Sequence, residues 1–209
     1  MSSNGRTWGS GPQGRGSNPC IPAITHRIGC AWTSHRFPIL QGFCIHMIHV
    51  KVGFGHDSHR FVDPPVDKPL RLGGVVIPDA PGLEGHSDAD VVLHALGRAI
   101  DSITGVPVIG PVSDALCRQG ITDSRAYLRA SLDHLPTGAR ITHVSITIEG
   151  SRPRLLPWIE RMRASIADML RISASDVGVT VSSGEALTPF GRGEGIQAWA
   201  VVTVVMVQD

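Results

Sequence analysis

The run "GIQAWAVVTVVMV" (195–207) constrains this chain more than any other stretch. It is apolar at odd and even positions alike, so as a strand it has two faces to hide. Such a strand lies buried in a sheet or at a subunit contact. Four further segments read as strands. "HMIHVKVGF" (46–54) alternates Ile48, Val50, Val52 and Phe54, the period-two pattern of a half-buried strand. "LRLGGVVIP" (70–78) is a short hairpin or a strand with a glycine kink. "ITHVSITIEG" (141–150) turns Val144, Ile146 and Ile148 inward, and "DVGVTVSS" (176–183) is a strand again.

Helical patterns fall between them. Ser87 reads as an N-cap with Asp90 as the acidic half of a capping box, opening a helix from about Asp88 to Ile103. Asp123-Ser124 opens another, with Tyr127, Leu128, Ser131, Leu132 and Leu135 on one side. Residues 154–172 are amphipathic at Leu155, Ile159, Met162, Ile166 and Met169, with Pro157 in the first turn. Strands separated by single helices predict an α+β single domain, a mixed β-sheet with helices packed on one face. No internal repeat and no second domain is read.

Charge divides the chain. Residues 1–56 contain no Asp or Glu, and the opening "MSSNGRTWGSGPQGRGSNP" is rich in Gly, Ser and Asn without apolar periodicity. Such a segment cannot bury enough surface to fold by itself. Residues 1–46 are therefore expected to be a disordered leader, arising from a gene start set too early at a point upstream of Met47, from a targeting segment, or from a real tail; residues 47–209 form the domain. A net charge of +1 gives no electrostatic case for nucleic acid or an anionic membrane. No apolar run approaches the ~20 residues of a spanning helix. Cys117 is the one cysteine beyond the leader, so a disulfide framework is excluded for the domain and a reducing compartment fits best.

The chemistry concentrates in two stretches. In "GLEGHSDADVVLHAL" (82–96), His86, Asp90 and His94 fall at i, i+4 and i+8 on one helical face. That stripe is either a set of metal ligands or a solvated polar face. In "GFGHDSHRF" (53–61), Asp57 and His59 stand at i and i+2, which in extended chain puts both on one face about 6–7 Å apart. His94 would complete an Asp/His/His set. Three nitrogen and oxygen ligands leave a fourth position open on zinc, whereas a closed structural site normally uses four ligands, mostly cysteine.

Those two stretches, followed by "FGRGEGI" (190–196), resemble the 2-C-methyl-D-erythritol 2,4-cyclodiphosphate synthase family of the non-mevalonate isoprenoid pathway, from about Val50 to Val207. The resemblance implies a homotrimer with active sites between subunits. It implies a lyase that converts the cytidine diphosphate substrate 4-diphosphocytidyl-2-C-methyl-D-erythritol 2-phosphate to the cyclic diphosphate and CMP. Asp57, His59 and His94 would hold Zn2+. His86 and Ser183 would be catalytic, with Ser87 at the substrate. Gly150, Ser151, Arg152, Pro153, Arg154, Leu155 and Leu156 would line the cytosine pocket. Ser182, Gly184, Glu185 and Arg192 would handle the diphosphate, Glu185 through a second ion, Mg2+ or Mn2+. The setting would be a bacterial cytoplasm, or a plastid if the leader is a transit peptide.

Asp90 reads equally as a helix cap or as support for a ligating histidine, and His134 and His143 read as structural. The pattern departs at "GVPVIGPVSDALCRQGITDS" (105–124), where Val108 occupies an expected aspartate position and Asp114 is the one acid before Asp123. Pro189 stands where phenylalanine is usual, with Phe190 one place late. Two other functions share these residues: a catalytically weakened zinc-binding trimer acting as scaffold or regulatory partner, and a zinc phosphoesterase acting on another diphosphate.

Overall fold

A computed structural model describes residues 47–63 and 67–208. The expectations for residues 1–46 lie outside the described residues. Six strands and four helices follow in order: β1 (Met47–Arg60), β2 (Pro69–Leu72), β3 (Val75–Pro81), α1 (Val91–Thr104), α2 (Ser113–Arg118), α3 (Ser124–Leu132), β4 (Arg140–Glu149), α4 (Ile159–Leu170), β5 (Val177–Ser182) and β6 (Gly195–Gln208). The main sheet is mixed, in the order β1-β6-β4-β5, with β6 antiparallel to β1 and β4, and β4 parallel to β5. The pair β2–β3 forms a separate two-stranded sheet, joined through Gly73 and Gly74, both at positive φ as a tight hairpin turn requires.

Helices cover one face of the main sheet, as expected. Ile196, Ala198, Ala200, Val202 and Val204 of β6 are buried there with Val144, Ile146 and Ile148 of β4. The opposite face of β6, with Trp199, Val201, Thr203 and Val205, is half-buried. The alternation in β1 is real, but its faces are reversed from the simplest expectation. Ile48, Val50, Val52 and Phe54 point away from the helices and are 59–66% exposed.

The inward face of β1 carries Gly53, Gly55, Asp57 and His59 instead. A Cβ at Gly53 would lie 2.0 Å from the Ala99 carbonyl oxygen, and one at Gly55 would lie 2.1 Å from that of Ala95. The two glycines therefore let α1 lie directly on the strand backbone, at a separation no other residue permits.

Helix α1 starts later than the capping-box reading places it. Ala89 sits at φ 54°, outside the helical region, and the N-cap is Asp90, whose carboxylate accepts from Val92 N and Leu93 N. The same carboxylate accepts from Gly73 N at 2.8 Å and Gly74 N at 2.6 Å. Asp90 thus clamps the hairpin turn to the helix start, which settles its role as structural. Ser87 makes a local turn instead, accepting from Ala89 N.

The departing segment 105–124 is ordered by Asp101, whose Oδ2 accepts from Val108 N and Ile109 N, both at 2.9 Å. Val108 is fully buried, and the segment continues into α2, a helix the sequence pattern does not announce. The amphipathic run at 154–172 opens with a short 3-10 turn, Leu156–Trp158, before α4. Because β1, β4 and β5 all point the same way, Asp57 and His59, the segment after Glu149 and the segment after Ser182 all emerge at one end of the sheet.

Candidate metal centre and its cleft

Asp57 and His59 project from the last turn-free residues of β1, and His94 projects from the first turn of α1 packed against it. The approach allowed by Gly53 and Gly55 brings the three together. Asp57 Oδ2 lies 3.0 Å from His59 Nε2 and 3.0 Å from His94 Nδ1, and the two ring nitrogens are 3.3 Å apart. Among the described residues this is the one group of three side chains of metal-ligand type whose donor atoms converge. Ligands bound at 2.0–2.1 Å in a tetrahedron are about 3.3 Å apart, so the triangle fits a zinc-sized ion with little adjustment.

The electrostatics agree. Burial by itself pushes the Asp57 carboxyl up, but hydrogen bonds and charge from His59 and His94 outweigh it and hold the group well below the usual carboxylate range. Asp57 is therefore an anion and a competent ligand. Its other oxygen, Oδ1, faces Arg98 Nε at 3.6 Å. On the far side of His94, Nε2 lies 2.9 Å from Ser124 Oγ, and Ser124 Oγ donates in turn to Asp88 Oδ1.

The triad forms one wall of a cavity of about 760 Å³, lined also by His86, Ser87, Arg98, Asp114 and Arg118. That volume suits a small organic molecule. A second cluster stands across the sheet. Gly150 N donates to Ser182 O, Ser151 N to Phe190 O, and Arg152 Nε to Gly193 O, while the Arg152 guanidinium stacks on Phe61. These bonds tie segments 150–156, 182–185 and 187–194 into one unit. The segment after Ser182 emerges three strands from β1, about 14 Å at ordinary strand spacing, whereas Phe190 and Glu194 of the same unit reach back beside His59.

The model of the YgbB family matches residues 50–205. The chain belongs to the YgbB family. Its match to the 2-C-methyl-D-erythritol 2,4-cyclodiphosphate synthase of Chlamydia muridarum is 46% identical over 156 residues, 74% of this chain and 88% of that relative. Among solved structures, the bifunctional IspDF from Campylobacter jejuni is 27% identical with a TM-score of 0.69, over 77% of this chain and 43% of that one. A 2C-methyl-D-erythritol-2,4-cyclodiphosphate synthase in its CDP-bound form is 29% identical with a TM-score of 0.65, over 76% of this chain and all of that one.

In this YgbB-family chain, the residues singled out by sequence divide into two sets. Asp57, His59, His94, His86 and Ser87 share the cavity. Ser182, Ser183, Gly184, Glu185, Arg192 and the segment 150–156 do not border it within one chain. Ser183 Oγ donates to Glu185 Oε1, and Arg192 pairs with Glu194 at 3.1 Å. Asp114 borders the cavity, whereas buried Val108 does not. His134 and His143 are exposed and outside it.

Four residues were not marked by sequence pattern. Asp88 and Ser124 back the His94 ring, Arg98 faces Asp57, and Glu149 anchors the second cluster. Glu149 is buried, taking hydrogen bonds from Gln197 Nε2 and Thr188 Oγ1. A carboxylate ending a strand otherwise apolar on alternate positions was the available signal for it.

Among the described residues, no single helix is long and apolar enough to cross a membrane.

Proposed function

We propose that this chain cyclises 4-diphosphocytidyl-2-C-methyl-D-erythritol 2-phosphate to 2-C-methyl-D-erythritol 2,4-cyclodiphosphate with release of CMP. The observation that carries this reading is the convergent Asp57/His59/His94 triangle opening onto a cavity of nucleotide-fragment size. The names of relatives at 43–46% identity support it. In the reaction an oxygen of the 2-phosphate bonds to the β-phosphorus, and the bond from that phosphorus to the bridging oxygen breaks. The bridging oxygen and its electron pair leave with CMP, so no nucleophilic side chain is consumed.

Two polyanionic groups must meet, and orientation is the main requirement. Zinc at the triad, with magnesium or manganese near Glu185, would supply positive charge that offsets the repulsion and stabilises the leaving phosphate. The chain's own residues do the rest. His86 and Ser87 line the same cavity as the triad, and there they would hydrogen-bond a phosphate oxygen. Ser183, Ser182, Gly184 and Arg192 would hold the diphosphate, and Gly150 to Leu156 the cytosine, from a neighbouring subunit.

A homotrimer accommodates this division. The exposed row Ile48, Val50, Val52 and Phe54 continues across the register onto Val205, Thr203 and Val201 of β6, an apolar sheet face suited to burial between copies. Bacterial relatives support a cytoplasmic setting.

Incubation of the purified protein with substrate and magnesium tests the reading. Formation of CMP and the cyclic diphosphate in equal amounts, followed by phosphorus NMR, is the expected result. CMP without the cyclic product would replace it with hydrolysis. Zinc bound with no product would replace it with a scaffold role.

A further inference from the structure

We propose that Ser124 and Asp88 form a tautomer lock on His94, fixing which ring nitrogen faces the metal position. The inference rests on reading the triad as a metal site and concerns how that site is kept ready to bind. It follows from counting hydrogens. In the hydrogen-bonded arrangement seen here Asp88 acts as an acceptor throughout. Its carboxylate accepts from Ser124 Oγ, from Ser124 N at 3.3 Å and from Asp90 N at 3.3 Å. A serine hydroxyl has one hydrogen, and Ser124 commits it to Asp88.

Towards His94, Ser124 Oγ can then act only as an acceptor. At 2.9 Å the partner atom, His94 Nε2, must therefore carry a proton. In the neutral ring this leaves the lone pair on Nδ1, the atom 3.0 Å from Asp57 Oδ2 and 3.3 Å from His59 Nε2. That is the lone pair a metal needs.

A competing effect acts on the same ring. Without metal, the Asp57 carboxylate favours a proton on Nδ1, which would block the site. The opposite tautomer, however, sets Nε2 and Ser124 Oγ against each other as two acceptors, unless Ser124 turns its hydrogen away from Asp88. That turn gives up a charge-assisted O–H to carboxylate bond, among the stronger kinds in proteins. Ser124 is fully buried and His94 is 8% exposed, so water is poorly placed to relieve the conflict. The lock is held by the fold: Asp88 N donates to Thr122 O at 2.8 Å, fastening the loop before α1 to the loop before α3.

Ser124 and Asp88 are thus positioning residues, acting through His94. Partners of this kind typically change metal affinity by about 10–100-fold. The direct test is nitrogen NMR of the His94 ring in the metal-free protein, at a pH where that ring is neutral. A proton on Nε2 and none on Nδ1 is expected; a proton on Nδ1 alone would overturn the proposal. The variant Ser124→Ala is expected to bind zinc about 10–100-fold more weakly in a chelator competition. It should also show a mixture of ring tautomers, a change that mere loosening of the fold does not produce.

Ser124→Thr, which keeps the hydroxyl, should restore both. Asp88→Asn can donate to Ser124 and free its hydrogen for Nε2, so it should shift the tautomer in the same direction. Zinc affinity within twofold of wild type in Ser124→Ala, with the ring unchanged, would overturn the lock. Wild-type protein that bound no zinc at all, with Nε2 still protonated, would instead sink the metal-site reading.

Discussion

The two candidate functional regions of this molecule are built on opposite principles. The Asp57/His59/His94 corner is complete within one chain, and its donors already lie 3.0–3.3 Å apart. The cluster of residues 150–156 and 182–194 is bonded to itself, and its charged side chains, Glu185 and Arg192, are spent on near neighbours. One region is preorganised by a backbone contact, the glycine face of β1 against α1. The other is a loop assembly that borders no part of the triad's cavity within one chain. The triad is thus set by packing within one chain, and on the proposed function the loop cluster would meet a site only when a second copy is present.

Substitutions can separate the two. The largest effect is expected at the corner. Asp57→Asn removes a ligand charge with little change in shape, and zinc content should fall from about one per subunit to near zero. CMP release should drop by about a thousandfold or more, the scale of the several kcal/mol a Lewis-acid ion contributes. Metal analysis and a product assay read both.

Assembly comes next. Val52→Glu puts a charge on the exposed apolar face of β1. Sedimentation velocity should show trimer giving way to monomer, with most activity lost while each monomer still binds zinc. Persisting trimer with Val52→Glu would remove that face from the interface.

Gly55→Ala probes the preorganisation itself. The added methyl meets backbone 2.1 Å away, so α1 must shift off β1. A loss of about 3 kcal/mol in denaturant unfolding is expected, at the upper end for overpacking, together with weakened zinc binding. Loss of stability with zinc affinity intact would show that the ligands do not depend on the close approach.

The smallest effect is expected in the loop unit. Thr188→Val removes the hydroxyl that donates to Glu149 and accepts from Gly191 N. Two lost hydrogen bonds, about 2 kcal/mol together, should raise KM roughly 30-fold and leave zinc content unchanged.

The same contrast governs what could be read from sequence. The strands, the helices α1, α3 and α4, and the Asp57/His59/His94 trio were legible because each depends on local spacing: i and i+2 on a strand, and a histidine one turn into a helix. The strand through Asp57 and His59 continues to Arg60, past the point where apolar alternation stops at Phe54, because pairing with β6 extends it. The start of α1 was misplaced because Asp90 serves Gly73 and Gly74 as well as its own helix, a tertiary duty that spacing does not encode. The exposed row on β1 looked like a core face because its pattern is that of burial, the pattern the proposed trimer would satisfy. Ser124 and Asp88 are 36 residues apart, joined only once α3 is docked beside α1.

X-ray absorption at the zinc edge of the loaded protein tests the central claim most directly. The expected result is a shell of nitrogen and oxygen only at about 2.0–2.1 Å, with the outer scattering of two imidazoles and one position left to solvent. A sulfur scatterer, a single imidazole, or a shell closed by four protein side chains would contradict it.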